Sequence, residues 1–383
     1  MQPHQPYDCH GAYSGSALVE DGKMYLFYTG NVKQLGDYNY ITNGRESNTI
    51  LAVSSDGEQM ESKELLMTNK DYPWDLTCHV RDPKVWKQDG AYYMVQGART
   101  KEDKGVVLVF SSEDKRHWSC IHRLESEEPF GFMWECPDLY ELDGQTILCI
   151  SPQGVEQDGY KYANKYQTVT TVIRGDFRTD GVTEGFRELD GGFDFYAPQT
   201  FVLEDGRRIL LGWMGMADST DEYTNWTVED GWQHCLTLAR EVSLKDGIVC
   251  QNPVRELAQW WNKEVPFASQ YEGNTDTCYE LDLKNTDQNW EVLIAGGLKL
   301  SWSPEEYVFR MEFLNEKLGC GRGLRAREMK TCKDIRVVVD ASCVEVFMND
   351  GKDVFSTRCY PEKDQYTVKV KGEGLTGSYR YKM

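Results

Sequence analysis

A four-fold repeat built on Asp-Gly turns constrains this chain more than any other feature. The copies are YSGSALVEDGKMYLFYTG (13–30), RDPKVWKQDGAYYMVQGA (81–98), ECPDLYELDGQTILCISPQG (135–154) and APQTFVLEDGRRILLGWMG (197–215). Each is a short β-rich run, an Asp-Gly pair, then an apolar run ending in small residues. Asp-Gly between two such runs is a strong hairpin signal, because a type I′ turn needs positive φ at both central positions. The turn glycines Gly22, Gly90, Gly144 and Gly206 stand 54 to 68 residues apart. Further strand-like runs fill the intervals: TILAVSSDG (49–57), GVVLVFSSED (105–114) and YQTVTTVIRGDF (166–177). Several strands per period of this size predict the blades of a β-propeller.

In a propeller the innermost strand of each blade lines a central channel, and one end of all these strands meets in a funnel. Counting back nine residues from each turn glycine, eight in the second copy, brings Tyr13, Asp82, Glu135 and Ala197 to that end. After the fourth copy the pattern changes. Gln251-Asn252-Pro253 followed by VRELAQWWN predicts an N-capped short helix. Beyond it come antiparallel strand signals, among them WEVLIAGGLKLSW, DIRVVVDASCVEVFMNDG and DVFSTRCY. The expected fold is all-β: a propeller domain over 1–250 with four blades, a linker helix over 251–264, and a β-sandwich over 265–383.

Composition narrows the function. With 42 Lys+Arg against 62 Asp+Glu the formal charge is −20, so no basic field exists to attract nucleic acid or an anionic membrane. No apolar run approaches the roughly 18 residues a membrane span needs, and the N-terminal residues carry no signal-peptide pattern. The twelve cysteines are scattered from Cys9 to Cys359, mostly inside apolar runs, which reads as free thiols of a reducing cytoplasm. The six histidines show no metal-ligand spacing. The 22 Tyr and 11 Trp suit both β-cores and stacking on sugar rings.

Two carboxyl groups at a channel rim among aromatic residues suit glycoside hydrolysis, in which a retaining enzyme sets two carboxyls about 5–5.5 Å apart. Glu135 lies between Trp134 and Cys136-Pro137, an apolar setting that would keep it protonated as a general acid. Asp82 follows Arg81, whose guanidinium would hold it ionised as an acceptor for sugar hydroxyls.

Tyr13-Ser14-Gly15-Ser16, Arg81-Asp82-Pro83, Trp134-Glu135-Cys136-Pro137 and Phe195-Tyr196-Ala197-Pro198-Gln199 together resemble the ordered motifs of glycoside hydrolase family 32, the invertases, sucrose-6-phosphate hydrolases and fructan hydrolases. VVVDASCVEVFMNDG resembles that family's C-terminal signature. The resemblance implies a five-bladed propeller with an appended β-sandwich that cleaves β-fructosyl bonds with retention. It implies Glu135 as acid/base and Asp82 as transition-state stabiliser. Arg81, Tyr13 and Ser14 would line the fructose subsite, Tyr196 and Trp213 would add contacts, and Cys136 would tune Glu135. It implies a carbohydrate substrate, no metal and no organic cofactor.

The family's nucleophile belongs to an Asn-Asp-Pro-Asn-Gly motif in the first blade, and no such motif occurs here. Asp8, in YDCHG, reads as an ordinary loop acid. The expectation is therefore a family member whose first blade is largely missing and whose turnover of sucrose is very weak. Strand edges left unpaired would favour aggregation or a covering partner, such as a second copy in a homo-oligomer. A levanase or inulinase, and a propeller that binds fructosides without cleaving them, are the alternatives.

Overall fold

The structure is a computed structural model that describes residues 2–215, 226–275, 277–361 and 365–382. The chain divides into two units, residues 1–156 with 169–187, and residues 157–168 with 188–383.

The first unit holds three antiparallel meanders. The first comprises β1 (Ala12–Glu20), β2 (Lys23–Lys33), β3 (Arg45–Ser54) and β4 (Ser62–Met67); the second, β5 (Leu76–Gln88), β6 (Ala91–Thr100), β7 (Gly105–Ser112) and β8 (Ser119–Leu124). The third runs through β9 (Met133–Leu142), β10 (Gln145–Gln153) and β11 (Val169–Val172). A two-residue strand, β12 (Arg187–Glu188), marks the passage into the second unit. Asp21-Gly22, Asp89-Gly90 and Asp143-Gly144 all have positive φ at both residues, as their hairpins require.

The first two meanders share an apolar core that includes Phe27, Leu51, Val80, Met94, Leu108 and Phe110. Close approach needs small residues: a Cβ on Gly97 of β6 would come within 1.8 Å of the Trp134 carbonyl oxygen of β9. β1 is tied to β5 by Ser16, whose hydroxyl donates to the Pro83 carbonyl (2.9 Å) and accepts from the Val85 N–H (2.9 Å).

The second unit begins with a fourth sheet, built from β13 (Tyr196–Val202), β14 (Arg208–Met214), β15 (Cys235–Leu236), β16 (Arg240–Lys245) and β17 (Ile248–Pro253). The Asp205-Gly206 turn departs from the other three. Only Gly206 has positive φ, and Leu203 and Arg207 close a longer loop.

The span 251–264 differs from the expected linker helix. Gln251–Pro253 ends β17, and only Arg255–Gln259 forms a helical turn, of the 3₁₀ type, with Val254 as an N-cap that makes no side-chain cap bond. Pro253 sits at the end of an edge strand, where a missing N–H is harmless.

The remaining strands are β18 (Lys263–Asn274), β19 (Cys278–Lys284), β20 (Trp290–Ile294), β21 (Leu298–Ser303), β22 (Val308–Phe313), β23 (Leu324–Glu328), β24 (Ile335–Asp340), β25 (Cys343–Met348), β26 (Asp353–Arg358) and β27 (Thr367–Tyr381). They form one ten-stranded sheet that curls into a sandwich. β27 makes the curl: Val368–Gly372 pair with β20, whereas Thr376–Tyr381 pair with β19. Left-handed residues, Gly374 in β27 and Ser269 in β18, break both strands at that switch. Trp290, Trp302, Phe309, Phe355 and Tyr379 fill the enclosed core.

Beneath this core lies a buried polar network. Arg240, wholly buried, donates through Nε and Nη2 to Glu345 (3.0 and 2.6 Å), through Nη1 to Asp190 (3.1 Å) and Gln251 (2.8 Å), and through Nη2 to Ser356 (2.6 Å).

Candidate active site

The motif residues of the repeat fall at bulges. The β5–β6 register slips between Arg81 and Lys84, the β9–β10 register slips opposite Glu135 to Asp138, and the β13–β14 register slips between Tyr196 and Gln199. At each slip one non-glycine residue is left-handed, Asp82 (φ 64), Cys136 (φ 47) and Ala197 (φ 47), and each precedes a proline. Both properties are disfavoured, and a residue held this way costs about 1–3 kcal/mol. The structure therefore corrects the register of the repeat. Asp82 is equivalent to Cys136 and Ala197, while Glu135 is equivalent to Arg81 and Tyr196. The bulges turn consecutive side chains, rather than alternate ones, toward one place.

That place in the first unit holds Arg81, Asp82, Glu135 and Cys136. Arg81 donates to Glu135 Oε1 from Nε (3.1 Å) and Nη2 (2.6 Å), and its Nε lies 3.9 Å from Asp82 Oδ2. The two carboxyl groups thus flank a single guanidinium. Glu135 Oε2 accepts a further bond from Gln153 Nε2 (2.6 Å). Glu135 is partly open, its side chain 17% exposed, and sits among polar donors instead of the apolar pocket expected of it.

Asp82 is the more deeply buried acid. Its N–H donates to Thr29 Oγ1 (3.0 Å), and its Oδ2 accepts from the Cys136 N–H (2.9 Å) and thiol (3.6 Å). Burial pushes its carboxyl up to about 6; Arg81 opposes this, and Glu135 adds to it. Arg81 acts on Asp82 in the expected direction, but burial outweighs it, so the carboxyl ionises only above about 6. Cys136 bonds to Asp82 through both its N–H and its thiol. Burial, with Asp82 and then Glu135 nearby, raises its thiol well above the usual range, so it remains a neutral donor.

Ser14, on β1, bonds through its hydroxyl to the Cys136 thiol. Tyr13 stands beside it on β1, largely exposed. Tyr196 and Trp213 lie in the second unit, where they are cross-strand partners of β13 and β14. Tyr196 packs against Tyr166, and Trp213 meets His234 edge to face.

Sequence reasoning missed three participants and one buried structural acid. Gln153 and Thr29 follow from no motif. His79 lies two residues before Arg81, hence on the same strand face, and accepts from Arg81 Nη1 at 2.6 Å. Asp8 is not an ordinary loop acid: it is wholly buried and accepts from Tyr28 Oη (2.7 Å), Lys63 Nζ (2.7 Å) and the Gln5 N–H (2.7 Å). Burial raises its carboxyl, but Lys63, Tyr28 and Gln5 outweigh this and hold it below the usual range. It anchors the segment leading into β1. Among the described residues no cluster of His, Cys, Asp or Glu could hold a metal ion.

Comparison with known proteins fits this arrangement. Residues 1–253 match the model of the glycosyl hydrolases family 32 N-terminal domain, and residues 321–380 match that of the family 32 C terminal. The chain belongs to glycoside hydrolase family 32, a family of glycosidases. It is 36% identical over 391 residues to the sucrose-6-phosphate hydrolase of Bacillus subtilis, covering 98% of this chain and 79% of the relative. It is 35% identical to the raffinose invertase of Escherichia coli, covering 97% and 79%. Among solved structures, a mutant of the Bombyx mori β-fructofuranosidase in complex with sucrose superposes with a TM-score of 0.82 at 31% identity, covering 97% of this chain and 79% of that one. The sucrose-6-phosphate hydrolase from Lactobacillus gasseri has the same fold, with a TM-score of 0.88 at 24% identity, covering 100% and 80%.

Proposed function

We propose that the first-unit site cleaves the fructosyl bond of sucrose or sucrose 6-phosphate, with Glu135 as acid/base and Asp82 as the acceptor that holds fructosyl hydroxyls. The observation that carries this is the bridging of Glu135 and Asp82 by Arg81. Glu135 is the partly open carboxyl, able to reach a leaving oxygen; Asp82 is buried and fixed by Cys136, suited to hold rather than to move protons. Arg81 bears directly on the charge of both. Tyr13 and Ser14 border the fructosyl position on this reading.

Retention requires a nucleophile that forms a glycosyl intermediate. The 383 residues contain no Asn-Asp-Pro-Asn-Gly, so a polypeptide of these residues binds and protonates its substrate but turns it over at a useful rate only when a small anion such as azide takes the nucleophile's place. Calorimetric titration with sucrose, run beside an assay of fructosyl release with and without azide, tests this. Binding with azide-dependent release is expected. Absence of sucrose binding would overturn the assignment, and fast release without azide would place a nucleophile among the residues present.

The twelve cysteines are all free thiols, which supports a reducing, cytoplasmic location. Thiol titration of the protein isolated without reductant should return twelve.

A further inference from the structure

Around His79 the first unit gathers positive charge that the hydrolytic roles above do not use. Arg45 opens β3, its carbonyl fixed by Asn69 Nδ2 at 2.8 Å. Its Nη1 lies against the His79 ring, 3.4 Å from Nδ1 and 3.3 Å from Nε2. Among the described residues no carboxylate pairs with Arg45, and its Nε is buried without an acceptor. Arg99 approaches the same ring. It is balanced in part by the exposed Asp103, to which its Nε and Nη2 donate (2.9 and 2.7 Å), and it lies over the Phe132 ring at 4.4 Å. Phe132 is three residues before Glu135. Burial first, then Arg81, Arg45 and Arg99, push the His79 imidazole down to about 3. The ring is therefore neutral, a spacer between guanidinium groups and not a fourth cation.

In a chain of net charge −20, holding an unpaired guanidinium beside two others is costly unless an anion offsets it. The group lies on the Glu135 side of the site, since Arg81 joins Glu135 to His79 and His79 joins Arg81 to Arg45. A general acid touches the leaving oxygen, so what lies beyond Glu135 meets the leaving sugar. Phosphate carries up to two charges at neutral pH and presents oxygens that match a guanidinium fork.

We infer that Arg45, supported by Arg99 and the neutral His79, forms the subsite for a phosphate monoester on the leaving sugar, which makes sucrose 6-phosphate the preferred substrate over sucrose. This rests on the assignment of Glu135 as the acid.

The test is calorimetric titration of the 383-residue chain with sucrose, sucrose 6-phosphate, glucose, glucose 6-phosphate and inorganic phosphate. The parent chain is compared with Arg45→Ala, Arg45→Lys and Arg99→Gln, each checked for an unchanged thermal transition. The parent should favour each phosphorylated sugar over its unphosphorylated form by about tenfold or more, a preference that shrinks as salt is raised. Arg45→Ala should reduce that ratio about tenfold, Arg45→Lys should recover part of it, and Arg99→Gln should reduce it less. A folded Arg45→Ala chain that keeps the full ratio overturns the inference. So does a parent that binds sucrose and sucrose 6-phosphate equally, or one that binds inorganic phosphate as tightly as glucose 6-phosphate. A parent that binds neither sucrose nor its phosphate contradicts the fructoside assignment itself, and the inference falls with it.

Discussion

Charge is buried in both units, but in opposite ways. In the second unit Arg240 gives two N–H bonds to Glu345 and spends its other donors on Asp190, Gln251 and Ser356. In the first unit Arg81 directs its bonds to the partly open Glu135 and leaves the buried Asp82 at 3.9 Å. Burial raises the carboxyls of both Glu345 and Asp82. Only Glu345 has a guanidinium bonded to it in compensation. Asp82 also sits in a left-handed backbone before proline, whereas neither Arg240 nor Glu345 has positive φ. The comparison separates a network that holds a fold together from one that keeps a reactive group under tension, a pattern associated with functional sites.

The largest expected effect falls on the satisfied network. Arg240→Ala strands Asp190 and Glu345 without their cation and should cost about 3–5 kcal/mol, read by urea unfolding of the second unit. A cost under about 1 kcal/mol would dissolve the contrast.

Asp82→Asn should behave oppositely. An acid titrating near 6 when folded, against about 3.9 unfolded, keeps in the folded state a proton that the unfolded chain has lost. Stability therefore declines as pH rises from about 4 to about 6 and then levels. The uncharged amide of the variant lacks this slope, so the variant should gain relative stability toward pH 8, by up to about 3 kcal/mol, and none at pH 4. The same substitution should weaken sucrose binding at every pH and remove the loss of affinity that the parent shows as pH falls through about 6. Parallel stability curves for the two proteins would refute the account of Asp82.

The smallest effect isolates backbone strain from charge. Ala197 is left-handed at the position equivalent to Asp82 but carries no charge. Ala197→Gly should stabilise the second unit by about 1 kcal/mol, strain relief exceeding the added chain entropy. Thermal unfolding would show it as a small rise in Tm.

Much of this was legible in the sequence because the repeat is regular. Asp-Gly pairs place the hairpins, and Arg81-Asp82 and Glu135-Cys136 stand at matching distances before them. Pairing Asp82 with Glu135 is one residue out because it counts back eight residues from the turn glycine in the second copy and nine in the third; nine in both pairs Arg81 with Glu135. Only the longer Asp205-Gly206 loop displaces the count, pairing Ala197 in place of Tyr196 with Glu135. Bulges then bring adjacent side chains to one place, which strict alternation along a strand does not foresee. Pro253 misled in another way: proline suits both a helix start and the end of an edge strand, and only pairing with β16 decides between them. Arg45 and Asp8 carried no local signal at all. Their roles come from contacts to His79 and Lys63, residues 34 and 55 positions away.

The most direct test of the account compares Glu135→Gln with the parent on two substrates, in the presence of azide. Sucrose needs its leaving oxygen protonated; β-fructosyl fluoride does not. If Glu135 is the acid bridged by Arg81 to Asp82, the variant should lose about 10²–10⁴-fold on sucrose and far less on the fluoride. Equal losses on both substrates would show that Glu135 only supports the structure, and would contradict the assignment.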